Sequence, residues 1–413
     1  MGRPGTVLPH YAFFEALAGM SEESADWSAT SAGLVTLRLF DAWVAEGARV
    51  VAADSWSLRA VREAIAAIDG RSSIRALLRS VVDAMEAART PRVATVAPRL
   101  MAYARALQFD AKWELAADVY ETVISHVNLI EDADVAISAN MQLGACRRVL
   151  AQWDDALSAY TTAGQIATMT GDVMNVLKSR IAEANVALDR GNIPAAEAIL
   201  DETIQSATDQ RLMEIRAFAL QDRGIVARRR RDFETSIRYS YEALSSFKDQ
   251  VAKDRALADL AVTFYDMGLL SAARDANLML AATAQEQYTR WAAMINLLEI
   301  AVRDCREPVF EQYRRELASI ELPAVLAAYY YFYVGQGYRM FKKLGQARAA
   351  FERALDIASQ HEVNEIRLKA EESLEELGEE ITTPAADVPE LSPAVTEVAN
   401  AIREMRTLAG VAG

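Results

Sequence analysis

Residues 331–338 read Tyr331-Phe332-Tyr333-Val334-Gly335-Gln336-Gly337-Tyr338, and Leu344, Ala347, Phe351 and Ala354 follow at helical spacing. Apolar residues three and four apart predict amphipathic helices. Gly335 lets a second helix lie close on the first, and Ala347 sits where a large side chain would push the pair apart. The same triplet (aromatic or apolar, then small, then apolar) recurs as Trp113–Ala116–Tyr120, Trp153–Ala156–Tyr160 and Ile193–Ala196–Leu200. It weakens at Phe233–Ser236–Ser240 and Leu270–Ala273–Asn277 and is sharp again at Leu344–Ala347–Phe351. The early copies are about forty residues apart and the later ones slightly closer, the self-similarity of a solenoid. Around Val309–Tyr313–Glu316 the pattern is nearly lost.

Tyr331, Val334, Gly335, Tyr338, Ala347 and Phe351 resemble the tetratricopeptide pattern W-x-x-L-G-x-x-Y…A-x-x-x-F, with Tyr for the Trp and Val for the Leu. Leu143-Gly144 with Ala156, Tyr160 and Ala163, and Gly224 with Ala243-Leu244, extend the resemblance over about residues 97–365. It implies an all-α fold, a right-handed α-solenoid of helix-turn-helix repeats. The units are longer than the family's usual 34 residues, and in this they look like the repeats of bacterial peptide-sensing regulators.

The expected organisation is a helical N-terminal cap at 1–96, seven repeats at 97–378, a linker at 379–392 and a C-terminal amphipathic helix and tail at 393–413. Within the cap, helices are expected near 11–17, 33–46, 57–68 and 74–88, and 57–90 reads as a degenerate repeat in which Ala76 keeps the phase. The last helix carries Val395, Val398, Ile402, Met405 and Leu408, a stripe that must dock on the last repeat, in the groove or on a partner.

Composition, 52% apolar and 25% charged, is that of a soluble folded protein. No apolar run is long enough to span a bilayer, and Pro9, His10 and Glu15 interrupt any secretory signal. A net charge of −14 argues against broad nucleic-acid binding. Cys146 and Cys305 offer neither a disulfide framework nor a ligand set, so a cytoplasmic location is expected, and the Ala- and Arg-rich composition suits a bacterial source.

Chemistry is hard to find. The three histidines, His10, His126 and His361, show no nucleophile or carboxylate arrangement in sequence, and Gly335-Gln336-Gly337 breaks off before a dinucleotide loop is complete. The expectation is a non-enzyme with no cofactor and no metal.

In tetratricopeptide arrays the first helix of each pair lines the concave surface. Phasing those helices places Arg105, Arg148, Lys178, Asn185, Gln221, Arg228, Arg255, Tyr265, Trp291, Tyr329, Phe332 and Arg339 on the inner face. The full inner set holds roughly six cations and no acid, where about four acids would be expected by chance. This suggests an adaptor or scaffold that binds a protein or peptide through an acidic or carboxylate-terminated segment, with arginines gripping carboxylates and aromatics as the floor. Two alternatives stand beside it: a ligand-gated regulator that senses a peptide and controls a protein partner, and a self-assembling component pairing through its terminal helices. No nucleic-acid or membrane partner is expected.

Overall fold

The computed structural model describes residues 8–88, 92–361, 363–378 and 391–412; most of the expected linker lies outside them. Among these residues the chain is all-α, without strands, and divides into two compact units, 1–186 and 187–413. No described helix is long and apolar enough to cross a membrane.

Unit 1 opens with α1 (Tyr11–Ala18), α2 (Ala25–Glu46), α3 (Trp56–Ala67) and α4 (Ser73–Ala87). The hairpins that follow pair α5 (Val93–Phe109) with α6 (Trp113–His126) and α7 (Ala133–Val149) with α8 (Trp153–Thr170). Helix α2 starts earlier than the apolar pattern alone suggests because Ser24 caps it, accepting from the Trp27 amide at 3.0 Å. Phe13, Phe40, Trp43, Leu78, Tyr103 and Tyr120 belong to one continuous core, so the first four helices are welded to the hairpins. The degenerate repeat expected at 57–90 does not pack as one. Ala76 is exposed, whereas Ala116 and Ala156 are fully buried, because α4 buries Ile74, Leu78, Val81 and Met85 instead.

The next pair, α9 (Val173–Asp189) and α10 (Ile193–Asp209), contains the division between units. Unit 2 continues with α11 (Met213–Arg229) and α12 (Phe233–Ser246), α13 (Gln250–Asp266) and α14 (Leu270–Thr283), and α15 (Gln287–Arg303) and α16 (Glu307–Ala318). It ends with α17 (Ala324–Met340) and α18 (Leu344–Gln360), the single helix α19 (Asn364–Glu375), and α20 (Pro393–Leu408).

One device closes every hairpin. The second residue after the first helix is left-handed at Ala111, Ala151, Gly191, Arg231, Gly268, Cys305 and Lys342. The next amide then reaches back five positions, as in Lys112 N–H to Leu107 O and Lys343 N–H to Tyr338 O, both 2.8 Å. This Schellman closure satisfies carbonyls that the helix end would otherwise orphan. Successive turn residues differ by 40 as far as Arg231 and by 37 from there on.

Between the paired helices, glycines admit rings. A Cβ on Gly144 would lie 2.5 Å from the Tyr160 ring, and one on Gly335 would lie 2.5 Å from the Phe351 ring. The faded sixth repeat has the same turn at Cys305, but Phe310 stands where its neighbours place Ala273 and Ala347. Gly337 makes room for it, since a Cβ there would meet the Phe310 ring at 2.2 Å. Gly335 and Gly337 are thus packing residues for two different hairpins.

Helix α20 docks on α12 and α14, the second helices of their hairpins, and not on the last repeat. Val395, Val398 and Ile402 join the core of α11–α14. Arg403 and Arg406 converge on buried Asp275 of α14 at 3.5 and 3.4 Å. The stripe, expected on the last repeat, in the groove or on a partner, is therefore covered within unit 2 at Val395, Val398 and Ile402, while Leu408 stays exposed.

Replacing Gly335 by Ala should destabilise unit 2 by about 1–3 kcal/mol through overpacking. Adding Phe351→Leu should recover part of that loss. Denaturant unfolding of the single and double variants checks this; equal stability of Gly335→Ala and wild type would contradict the close approach.

Candidate functional site

The first helices of the unit 2 hairpins, with α19, enclose a cavity of about 640 Å³. Arg228 and Arg229 enter from α11, Tyr265 and Asp266 from α13, and Asn296 and Glu299 from α15. Tyr329 and Tyr333 enter from α17, and Glu365 and Lys369 from α19. Asn277 of α14 completes the wall, accepting from the Asn296 amide at 3.1 Å.

Most charges here are already paired. Arg228 meets Asp266 at 3.0 Å, Lys369 meets Glu365 at 2.6 Å, and the Tyr329 hydroxyl donates to Glu365 at 3.0 Å. Burial pushes the Glu299 carboxyl above the usual carboxylate range, against hydrogen bonds from Tyr265 and Tyr333 and the nearby charges of Lys369 and Arg303. Burial likewise raises Asp259 of α13 to about 6, against the Gln221 hydrogen bond (2.6 Å) and Arg228.

Of the twelve residues singled out from sequence, Arg228, Tyr265 and Tyr329 line this cavity. Gln221 is buried and committed to Asp259. Arg255 is exposed and 3.4 Å from Glu286, while Arg339 donates to the Glu376 carbonyl at 2.7 Å. Phe332 is a core residue, its ring centroid 5.9 Å from that of Phe351, and Trp291 packs against the same core. Arg105, Arg148, Lys178 and Asn185 lie in unit 1, with Arg105 and Lys178 exposed.

The expectation that no acid shares the inner surface fails in unit 2, for a geometric reason. Counted back from the turn residues, Ala292, Asn296 and Glu299 of α15 are equivalent to Tyr329, Tyr333 and Gln336 of α17. Reading Trp291 as an inner residue slips α15 by one residue and hides Glu299. Asp259 falls in the same column as Asn296 and Tyr333.

No protein-family profile and no curated protein sequence matches the chain. Solved structures do. The Rap conjugation gene regulator of plasmid pLS20, in complex with the Phr* peptide, is 14% identical with a TM-score of 0.51, covering 81% of this chain and 97% of that one. A Rap protein complexed with competence and sporulation factor is 12% identical with a TM-score of 0.46, covering 86% and 98%. The C-terminal part of a TPR repeat-containing protein from Cytophaga hutchinsonii is 14% identical with a TM-score of 0.33, covering 62% and 95%. The fold is a tetratricopeptide-type α-solenoid. At these identities the likeness concerns the fold alone.

Unit 1 of the solenoid holds a second polar centre. His10, in left-handed backbone conformation, donates from Nδ1 to Asp118 of α6 at 2.8 Å and from Nε2 to Asp41 of α2 at 2.9 Å. His126 reaches the other oxygen of Asp41 at 3.0 Å. No local pattern marks these carboxylates as partners of the histidines, because they lie 31, 85 and 108 residues away along the chain. A cavity of about 720 Å³ adjoins them, lined also by Glu15, Glu114 and by Glu121, which Arg147 pairs. Among the described residues no three His, Cys, Asp or Glu side chains are arranged to hold a metal ion.

Burial disfavours the charged His10 ring, but the bonds to Asp118 and Asp41 outweigh it and raise its pKa to about 9. Asp41 is correspondingly held below its ordinary value, burial being outweighed by the hydrogen bonds from His10 and His126. A histidine raised in the folded state contributes stability that is full below its unfolded pKa of about 6.5 and is lost as pH rises through about 9. His10→Gln should therefore cost roughly 2 kcal/mol at pH 6 and much less at pH 9.5. Urea unfolding of both proteins at the two pH values tests this; an equal cost at both would contradict a charged His10.

Proposed function

We propose that this chain is a non-enzymatic peptide-binding protein whose ligand lies along the first-helix cavity of unit 2. The observation that carries the reading is the lining itself. Helices α11, α13, α15, α17 and α19, with Asn277 of α14, contribute side chains to one polar cavity wall, and a wall spread over successive helices suits an extended backbone. Asn296, held by Asn277, offers its amide oxygen to a peptide amide, and Tyr329 supplies an aromatic face.

The carboxylate preference inferred from sequence becomes narrower. Arg228, Arg255 and Arg339 are each beside an acid. Among the described residues Arg229, which is exposed and lines the cavity, forms no ion pair. We assign it the ligand's carboxylate, either an acidic side chain or the C-terminus. The Rap regulator of plasmid pLS20 is seen with a peptide; the support for a peptide here is the cavity, and gating of a protein partner remains the second reading.

A synthetic hexapeptide library, prepared with free and with amidated C-termini, provides the test. Peptides retained by the wild type should bind Arg229→Glu and Asn296→Ala about tenfold more weakly or worse, with circular dichroism confirming the fold. Binders indifferent to both substitutions would place recognition elsewhere.

A further inference from the structure

The cavity of unit 2 holds three carboxylates with different fates. Asp266 is answered by Arg228 and Glu365 by Lys369. Glu299 forms no ion pair among the described residues, although it is largely buried in the wall between α13 and α17. Arg303, one helical turn further along α15, could have answered it. Instead its guanidinium donates to the Tyr265 carbonyl at 3.3 Å and lies 4.8 Å over the Tyr265 ring.

What Glu299 has are phenols. Tyr265 and Tyr333, on the neighbouring helices α13 and α17, line the same cavity, and their hydroxyls favour the ionised carboxylate against burial. Tyr329 and Tyr333 stand beside it with ring centroids 6.4 Å apart and planes tilted by 32°. Nearby hydroxyls favour a carboxylate without neutralising it, and aromatic faces favour a cation near them. The desolvation cost of the acid is then met by folding, and a cation arriving from the ligand recovers it.

We propose that Glu299, walled by Tyr265, Tyr329 and Tyr333, is a subsite for a cationic group of the bound peptide, a lysine ammonium or an arginine guanidinium. This rests on the peptide-binding reading and adds the second half of its charge pattern. Arg229 takes a carboxylate and Glu299 takes a cation, so the preferred peptide carries both signs and is not simply acidic. A neutral peptide leaves Glu299 unanswered and binds less tightly.

Protonation supports the same assignment. The charged groups around Glu299 are Arg228, Arg229 and Asp266 from the α11–α13 side, Arg303 on its own helix, and Glu365 and Lys369 from α19, with the three tyrosines between. Because burial lifts the Glu299 carboxyl, a cationic ligand must bind the ionised form, and affinity should fall as the solution is acidified.

The experiment uses the full chain and a positional-scanning hexapeptide library with acetylated N-termini, so that only side chains supply cations. Wild type should enrich Lys or Arg at one position, and separate Lys and Arg arms identify the preferred group. Glu299→Gln, which keeps an acceptor for the phenols, should lose that enrichment and weaken the selected peptide by about tenfold or more. It should also flatten the loss of affinity between pH 7.5 and pH 5. Tyr333→Phe, which removes one hydroxyl and keeps the ring, should give a smaller loss in the same direction. An unchanged basic preference in Glu299→Gln, or selection by wild type with no basic residue enriched, would overturn the subsite while leaving peptide binding standing. Retention of no peptide at all would overturn both.

Discussion

The structure depends on how each helical hairpin closes. A single left-handed residue ends the first helix, and the amide after it reaches back five positions to a carbonyl. Except at Gly191 and Gly268, that residue carries a side chain and bears a conformational cost of about 1 kcal/mol or more. Packing overrides the cost because the turn sets the phase of everything after it. From Arg231 on the phase is constant, and side chains at equivalent positions recur as columns: Asp259, Asn296 and Tyr333 form one, and Val262, Glu299 and Gln336 another. A cavity built from successive helices follows from that repetition.

How much of this was legible in sequence follows the same physics. The hairpins could be read because close helix approach demands small residues, and Gly144, Gly335, Ala156 and Ala347 satisfy that demand visibly. The sixth repeat faded because it solves the problem differently, with Phe310 in the small position and Gly337 of the next hairpin giving way. Losing that landmark cost one residue of register, and on a helix one residue is a turn of about 100°. Glu299 dropped from view, and Trp291 stood in the place of Ala292. Phe332 was misplaced for another reason, since neighbouring faces of an amphipathic helix are both apolar in α17 and only packing distinguishes them. The His10–Asp41–Asp118 cluster was beyond reach, its members being joined by tertiary packing of α1, α2 and α6 and by no local pattern.

Charge reads differently once geometry is known. A row of inward arginines suggested a basic surface, yet Arg228 and Arg339 are spent on acids of the following helix or loop. Such pairs hold adjacent helices at fixed spacing and leave little net potential for a ligand. What distinguishes the cavity is the remainder: an exposed guanidinium at Arg229, a carboxylate set among phenols at Glu299, and amides at Asn277 and Asn296 between α14 and α15. Recognition by such a surface relies on placement of a few groups more than on bulk charge.

The most direct test of the central claim is hydrogen exchange by mass spectrometry on the full chain, with and without a library-selected peptide. Binding along the first-helix cavity predicts added protection within α13, α15 and α17, and none on α12, α14 or α20 beyond the segment around Asn277. Protection confined to α20 and the helices beneath it, or to unit 1, would contradict the account.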